Sequence, residues 1–102
     1  MRREDIEGVI ARREAVLSRI RKVLIEQIGV RREPEEIDPD APLFGTGLAL
    51  DSIDAVELVV SLETAFAVRF PDGYMDRRTM RTVGTLVDAV LSLDANSEAA
   101  HG

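Results

Sequence analysis

The chain has 102 residues and no cysteine, so it is the size of one small domain and has no disulfide framework, thiolate metal site or cysteine nucleophile. Apolar residues make up 45% of it and aromatics only 4%, which predicts a thin core of Val, Leu, Ile and Ala. The net charge of −6 lies in the middle, where residues 40–76 hold seven acids against the single base Arg69; such a segment repels nucleic acid and steers a basic protein toward it.

In chain order, Leu17, Ile20, Leu24 and Ile28 recur at helical spacing with Val16 and Val23 beside them, while Arg19, Arg21, Lys22 and Glu26 fall on other faces. This predicts a first amphipathic helix, stopped by Gly29 and then Pro34. Upstream, Ile6 and Ile10 continue the stripe but Gly8 and the flanking charges interrupt it, so residues 1–13 are set apart as an N-terminal extension to a domain of residues 14–94. Residues 35–50 contain Pro39, Pro42, Gly45 and Gly47, yet they also space out Ile37, Leu43, Phe44, Leu48 and Leu50. Each of these apolar side chains gains roughly 1.5–3 kcal/mol when fully buried, which predicts an ordered strap across the helices rather than a flexible linker.

A second helix starts at Asp51 or Ser52, turns Val56, Leu58, Val59, Leu62 and Phe66 toward one broad side, and stops before the turn at Phe70, Pro71, Asp72 and Gly73. A short helix is predicted around Asp76 to Arg81, and Thr82 caps a last helix striped by Val83, Leu86, Val87, Val90 and Leu91. Residues 95–102, ANSEAAHG, are expected to be disordered. No strand pattern occurs. The expected fold is all-α, a small four-helix bundle of three long helices and one short, with a long ordered loop between the first two.

Candidate chemistry concentrates where Asp51, Ser52, Ile53 and Asp54 follow the stretch GTGLAL. Two readings compete there. In one, Asp51 or Ser52 is an ordinary N-cap and the acids complement the helix dipole. In the other, Ser52 is modified, because unbonded N–H groups at a helix start favour a phosphodiester, although the neighbouring carboxylates oppose it. Catalysis is not expected: the one histidine, His101, lies in the terminal segment, and nothing in the sequence desolvates Asp51 or Asp54.

The segment GLALDSIDAVELVVSLETAF resembles the prosthetic-group site and second helix of acyl carrier proteins, whose hallmark is Asp-Ser-Leu followed by an acidic position and Glu-Leu; Ile53 stands in for the Leu. RIRKVLIEQIGV is similar to the end of that family's first helix and TVGTLVDAVLSL to its last, so the likeness spans residues 19–93. The resemblance implies a carrier domain at 14–94 that is not itself an enzyme. Ser52, with Asp51 as its motif neighbour, would receive 4′-phosphopantetheine from coenzyme A through a separate phosphopantetheinyl transferase, and the arm's thiol would hold acyl cargo as thioesters. By the same resemblance Asp54, Glu57 and Glu63, with the apolar Ile53 and Val60, would meet acyl-transfer and condensing enzymes that have basic docking surfaces. The alternative fate is a solvated helix face for the acids and plain core or scattered surface for the apolar pair.

The chain departs from carriers of fatty-acid synthesis in several places. The segment before Leu17 is extra, the loop PLFGTGLAL is less acidic, Thr64 sits where Glu is common, and Arg69, Arg77, Arg78 and Arg81 occupy a usually acidic region. Arg77 and Arg78 are therefore read as residues that choose partners, in fatty-acid or in specialised lipid or polyketide-type biosynthesis. No apolar run approaches the ~20 residues of a membrane span, and MRREDIEGVIARRE is too charged for a signal-peptide core. A soluble, unprocessed, cytoplasmic monomer is expected. The alternative is an acidic helical interaction module without a prosthetic group; a helix-turn-helix DNA binder is set aside because the central helix is acidic.

Overall fold

A computed structural model of the chain describes the backbone of residues 3–101 and the side chains of residues 6–93. Helix α1 (Arg3–Val23) runs on into a π-helical turn, Leu24–Ile28. Gly8 does not interrupt it, because adding a residue to a formed helix is far easier than nucleating one and glycine costs only about 1 kcal/mol there. The backbone therefore shows no break at residue 13, and most of the expected extension is α1 itself. Gly29 stops the helix in the left-handed conformation at φ 88°, and its N–H and that of Val30 both donate to the Leu24 carbonyl.

Helix α2 (Ser52–Phe66) and helix α3 (Val83–His101) complete the α-helices among the described residues, beside a single 3-10 turn at Pro34–Glu36, and no helix there is long and apolar enough to cross a membrane. One core joins them. It is built from Val16, Ile20, Val23 and Leu24 of the first helical run, Leu58 and Leu62 of α2, and Val83, Leu86, Val87 and Val90 of α3. α3 continues past Leu93 into the segment expected to be disordered, up to His101. The Ala and Glu of that segment propagate a helix readily; Gly102 lies outside the described residues.

The connection between α1 and α2 is the strap that its apolar residues predict. Ile37, Leu43 and Leu50 are buried, and Arg21 Nε donates to the Ile37 carbonyl at 2.9 Å; Phe44 alone among the large residues stays exposed. Leu43 is the hub: its N–H donates to Arg81 O at 3.1 Å and its carbonyl accepts the Leu50 N–H at 2.9 Å. With Val83 N–H on Ala41 O at 3.2 Å, these bonds tie the strap to the entry of α3. At Gly47 the chain doubles back so tightly that a Cβ would overlap the Pro42 carbonyl, to which the Leu48 N–H donates.

The expected fourth helix does not form. Among the described residues the fold has three α-helices, and residues 71–82 are a series of turns with one helical hydrogen bond, Met80 N–H to Asp76 O at 3.0 Å. Polar side chains there take the backbone groups that a helix would pair. Asp76 Oδ1 accepts the Arg78 and Thr79 N–H groups at 2.9 and 3.0 Å, Thr79 Oγ1 donates to Tyr74 O, and Thr85 Oγ1 donates to Thr79 O. The Tyr74 hydroxyl holds the segment to α3 through Ala89 O at 3.2 Å. Thr82 caps α3 as predicted: its Oγ1 accepts the Thr85 N–H while Thr85 Oγ1 accepts the Thr82 N–H.

Candidate functional site

The start of α2 is fixed from both sides. Behind it, Leu50 is buried and bonded through Leu43 to the entry of α3. At the start itself, Asp51 is the N-cap, in extended conformation at φ −101° and ψ −178°. Its Oδ1 accepts the Asp54 N–H at 2.8 Å, and Asp54 Oδ2 returns the arrangement by accepting the Asp51 N–H at 3.1 Å. This reciprocal box decides between the two candidate caps, since Ser52 becomes the first residue of the helix rather than its cap.

Ser52 is consequently exposed, and its hydroxyl has no hydrogen-bond partner among the described residues. Its backbone N–H and that of Ile53 are also unpaired there, as expected for the first donors of a helix, whereas Asp54 and Ala55 donate to Asp51. A nucleophilic oxygen beside two N–H donors at the positive end of a helix is a donor set that suits a phosphodiester. It is a poor set for catalysis, because one oxygen of each nearby carboxylate already accepts a backbone N–H and the one histidine of the sequence, His101, is remote from Ser52 along the chain.

The other predicted residues separate by geometry. Ile53 is 76% exposed and Val60 57%, and between them Val56, predicted to face the core, is 67% exposed; Leu58 and Leu62 carry that side instead. Val56 thereby joins the candidate site, although its apolar character in the sequence predicts the core. Its signal was its spacing of three from Ile53 and four to Val60, which puts all three on one strip. Among the acids, Glu57 is exposed with no internal partner among the described residues, while Asp54 belongs to the cap. Glu63 is half-buried, and its Oε2 accepts the Phe70 N–H at 2.8 Å, so its carboxylate closes the turn that follows α2. Arg77 and Arg78 are exposed beside Asp76, about one chain turn before Arg81. Their region is distinct from α2 in sequence but joins the Ser52 end through the bonded row Arg81, Leu43, Leu50.

A family model described as a phosphopantetheine attachment site matches residues 18–90, well over half of the chain. That span covers α2 whole, the strap, the turns and the facing parts of α1 and α3. Members of this family bear a covalently bound 4′-phosphopantetheine and carry groups rather than transform them. The chain belongs to the phosphopantetheine attachment-site family and is a carrier protein of the acyl carrier kind.

Proposed function

We propose that Ser52 is the attachment point of the arm and that the chain carries acyl groups as thioesters on it, in fatty-acid or in a specialised lipid or polyketide-type biosynthesis. One observation supports this most: Asp51 and Asp54 take over the capping of α2, which leaves the Ser52 hydroxyl exposed and unbonded at a helix start. When bound, the arm supplies a terminal thiol for thioester formation. The chain's own residues have simpler tasks. Ser52 Oγ provides the oxygen that becomes esterified, the Ser52 and Ile53 N–H groups stand ready to donate to a phosphate oxygen, and Leu50 and Leu43 hold the helix start in place.

Among the described residues no base is hydrogen-bonded to the Ser52 hydroxyl, so a separate phosphopantetheinyl transferase would supply one. Ile53, Val56 and Val60 offer an apolar contact for acyl-transfer and condensing enzymes, and Glu57 offers the charge for their basic surfaces. Arg77 and Arg78 narrow that set by repelling the most basic surfaces. The protein acts as a cytoplasmic monomer in this reading. The test is incubation with coenzyme A and a broad-specificity transferase, followed by peptide mapping. The added group is expected on the peptide that contains Ser52. Its appearance on Ser61, or no addition at all, would refute the assignment.

A further inference from the structure

The apolar strip on α2 does not end in open solvent. Val60, its last residue, is also a wall of a groove of about 310 Å³ between α1 and α2. The α2 side of the groove is formed by Val60, Ser61, Thr64 and Ala65, and the side of the first helical run presents two cations, Arg19 and Lys22, and one carboxylate, Glu26. At 1.5 Å per residue, Val60 lies ~12 Å and Thr64 ~18 Å along the axis from Ser52. An arm made of pantoate, β-alanine and cysteamine is about as long as five extended residues, ~17 Å. Rooted at Ser52 and laid over Ile53, Val56 and Val60, it brings its thiol into this groove.

The chemistry of the two walls selects among cargoes. Lys22 lies 3.9 Å from Glu26, which partly neutralises it, but Arg19 is exposed and has no acidic partner among the described residues. The Ser61 hydroxyl likewise has no partner there, and the Thr64 hydroxyl donates to Val60 O. A long alkyl chain gains little from such a half-polar, open channel. A short acyl group that ends in a carboxylate gains apolar contact on Val60 and Ala65 together with a charge-assisted hydrogen bond from the Arg19 guanidinium.

We propose that the α1–α2 groove is a resting site for the tip of the arm and favours short acyl groups bearing a terminal carboxylate. The inference rests on Ser52 as the root, so the experiment measures intact mass first. The isotopically labelled protein is loaded with a pantetheine analogue that carries a nitroxide at its thiol end, and amide signals are recorded. Broadening is expected at residues 19–26 and 60–65. Broadening confined to Leu43, Phe70 and Met80, or absent throughout, would overturn the resting site while leaving Ser52 as the root; absence of the added mass would overturn both.

The cargo class is tested with two non-hydrolysable acyl analogues, a malonyl type and an octanoyl type. The malonyl type is expected to shift the groove amides more, and Arg19→Glu should remove most of that difference without lowering the yield of loaded protein. Equal shifts from both cargoes, or shifts indifferent to Arg19→Glu, would refute the carboxylate preference. Arg19 and Val60 are both exposed, so a further variant, Val60→Asn, should weaken the contact for either cargo with the fold intact. An unweakened contact in that variant would contradict the path over the strip.

Discussion

Along α2 the same kinds of residue meet opposite fates. Leu58 and Leu62 are fully enclosed by the bundle, whereas Ile53, Val56 and Val60, one helical strip away, stand in water beside Ser52. A Val or Ile left exposed forgoes roughly 1.5–3 kcal/mol of burial, so such a strip is not there for the stability of the isolated chain. Three apolar side chains in a row next to an unbonded serine suit contacts that form and break, with an attached group or with partner enzymes. The buried side holds the serine still, and the exposed side leaves it accessible.

That contrast is broken most directly by truncating one residue on each side. Leu62→Ala should cost about 2–5 kcal/mol in urea unfolding, as cavity-forming substitutions do. Val56→Ala should stay within ~0.5 kcal/mol of wild type. Comparable losses at both positions would mean that the strip is core and that the account of α2 is wrong.

The division of labour at the helix start gives a smaller effect. Asp51→Ala removes the cap and should cost about 0.5–2 kcal/mol, while Ser52→Ala removes no capping bond and should leave the thermal midpoint nearly unchanged. A larger loss at Ser52 than at Asp51 would return Ser52 to the role of a structural residue.

The arginines sharpen the contrast by acting on partners alone. The double variant Arg77→Glu, Arg78→Glu should barely move stability, since exposed arginines contribute little. It should speed malonyl transfer onto the holo protein by a general fatty-acid-pathway enzyme, at low salt more than at high salt. An unchanged rate at low salt would leave both arginines as solvated surface.

The smallest effect concerns Asp76, whose carboxyl lies below its ordinary value of 3.8 chiefly because it accepts the Thr79 N–H. A folded-state value lowered in this way contributes stability that is present above the unfolded value and is lost as pH falls through the folded one. Wild type should therefore lose its margin over Asp76→Asn below about pH 4. A margin that persists at lower pH would show that the turn does not depend on the ionised carboxylate.

How much the sequence revealed depended on which groups make the bonds. The strap was readable because Ile37, Leu43 and Leu50 are apolar residues in a loop, and burial is the only favourable use for them. Gly29 and Thr82 were readable because their conformational and capping preferences are local. The turns at 71–82 were not, since a helix and a string of side-chain caps at Asp76 and Thr79 compete for the same backbone groups at similar cost. Val56 was misplaced because α2 is apolar on more than one side, so periodicity alone names no unique core face. Asp51 and Ser52 are both good caps, and only the return bond from Asp54 separates them. Glu63 reads in the sequence as a partner-facing or solvated acid because its partner, the Phe70 N–H, reaches it only through the fold of the turn.

If Ser52 bears the arm and does little else, its removal should abolish loading and spare the fold. Intact mass and circular dichroism of wild type and Ser52→Ala, each after incubation with coenzyme A and a transferase, test it together. Wild type should gain one phosphopantetheine group, the variant none, and the two helical spectra should coincide. A variant that still gains the group, or that loses its helical spectrum, would contradict it.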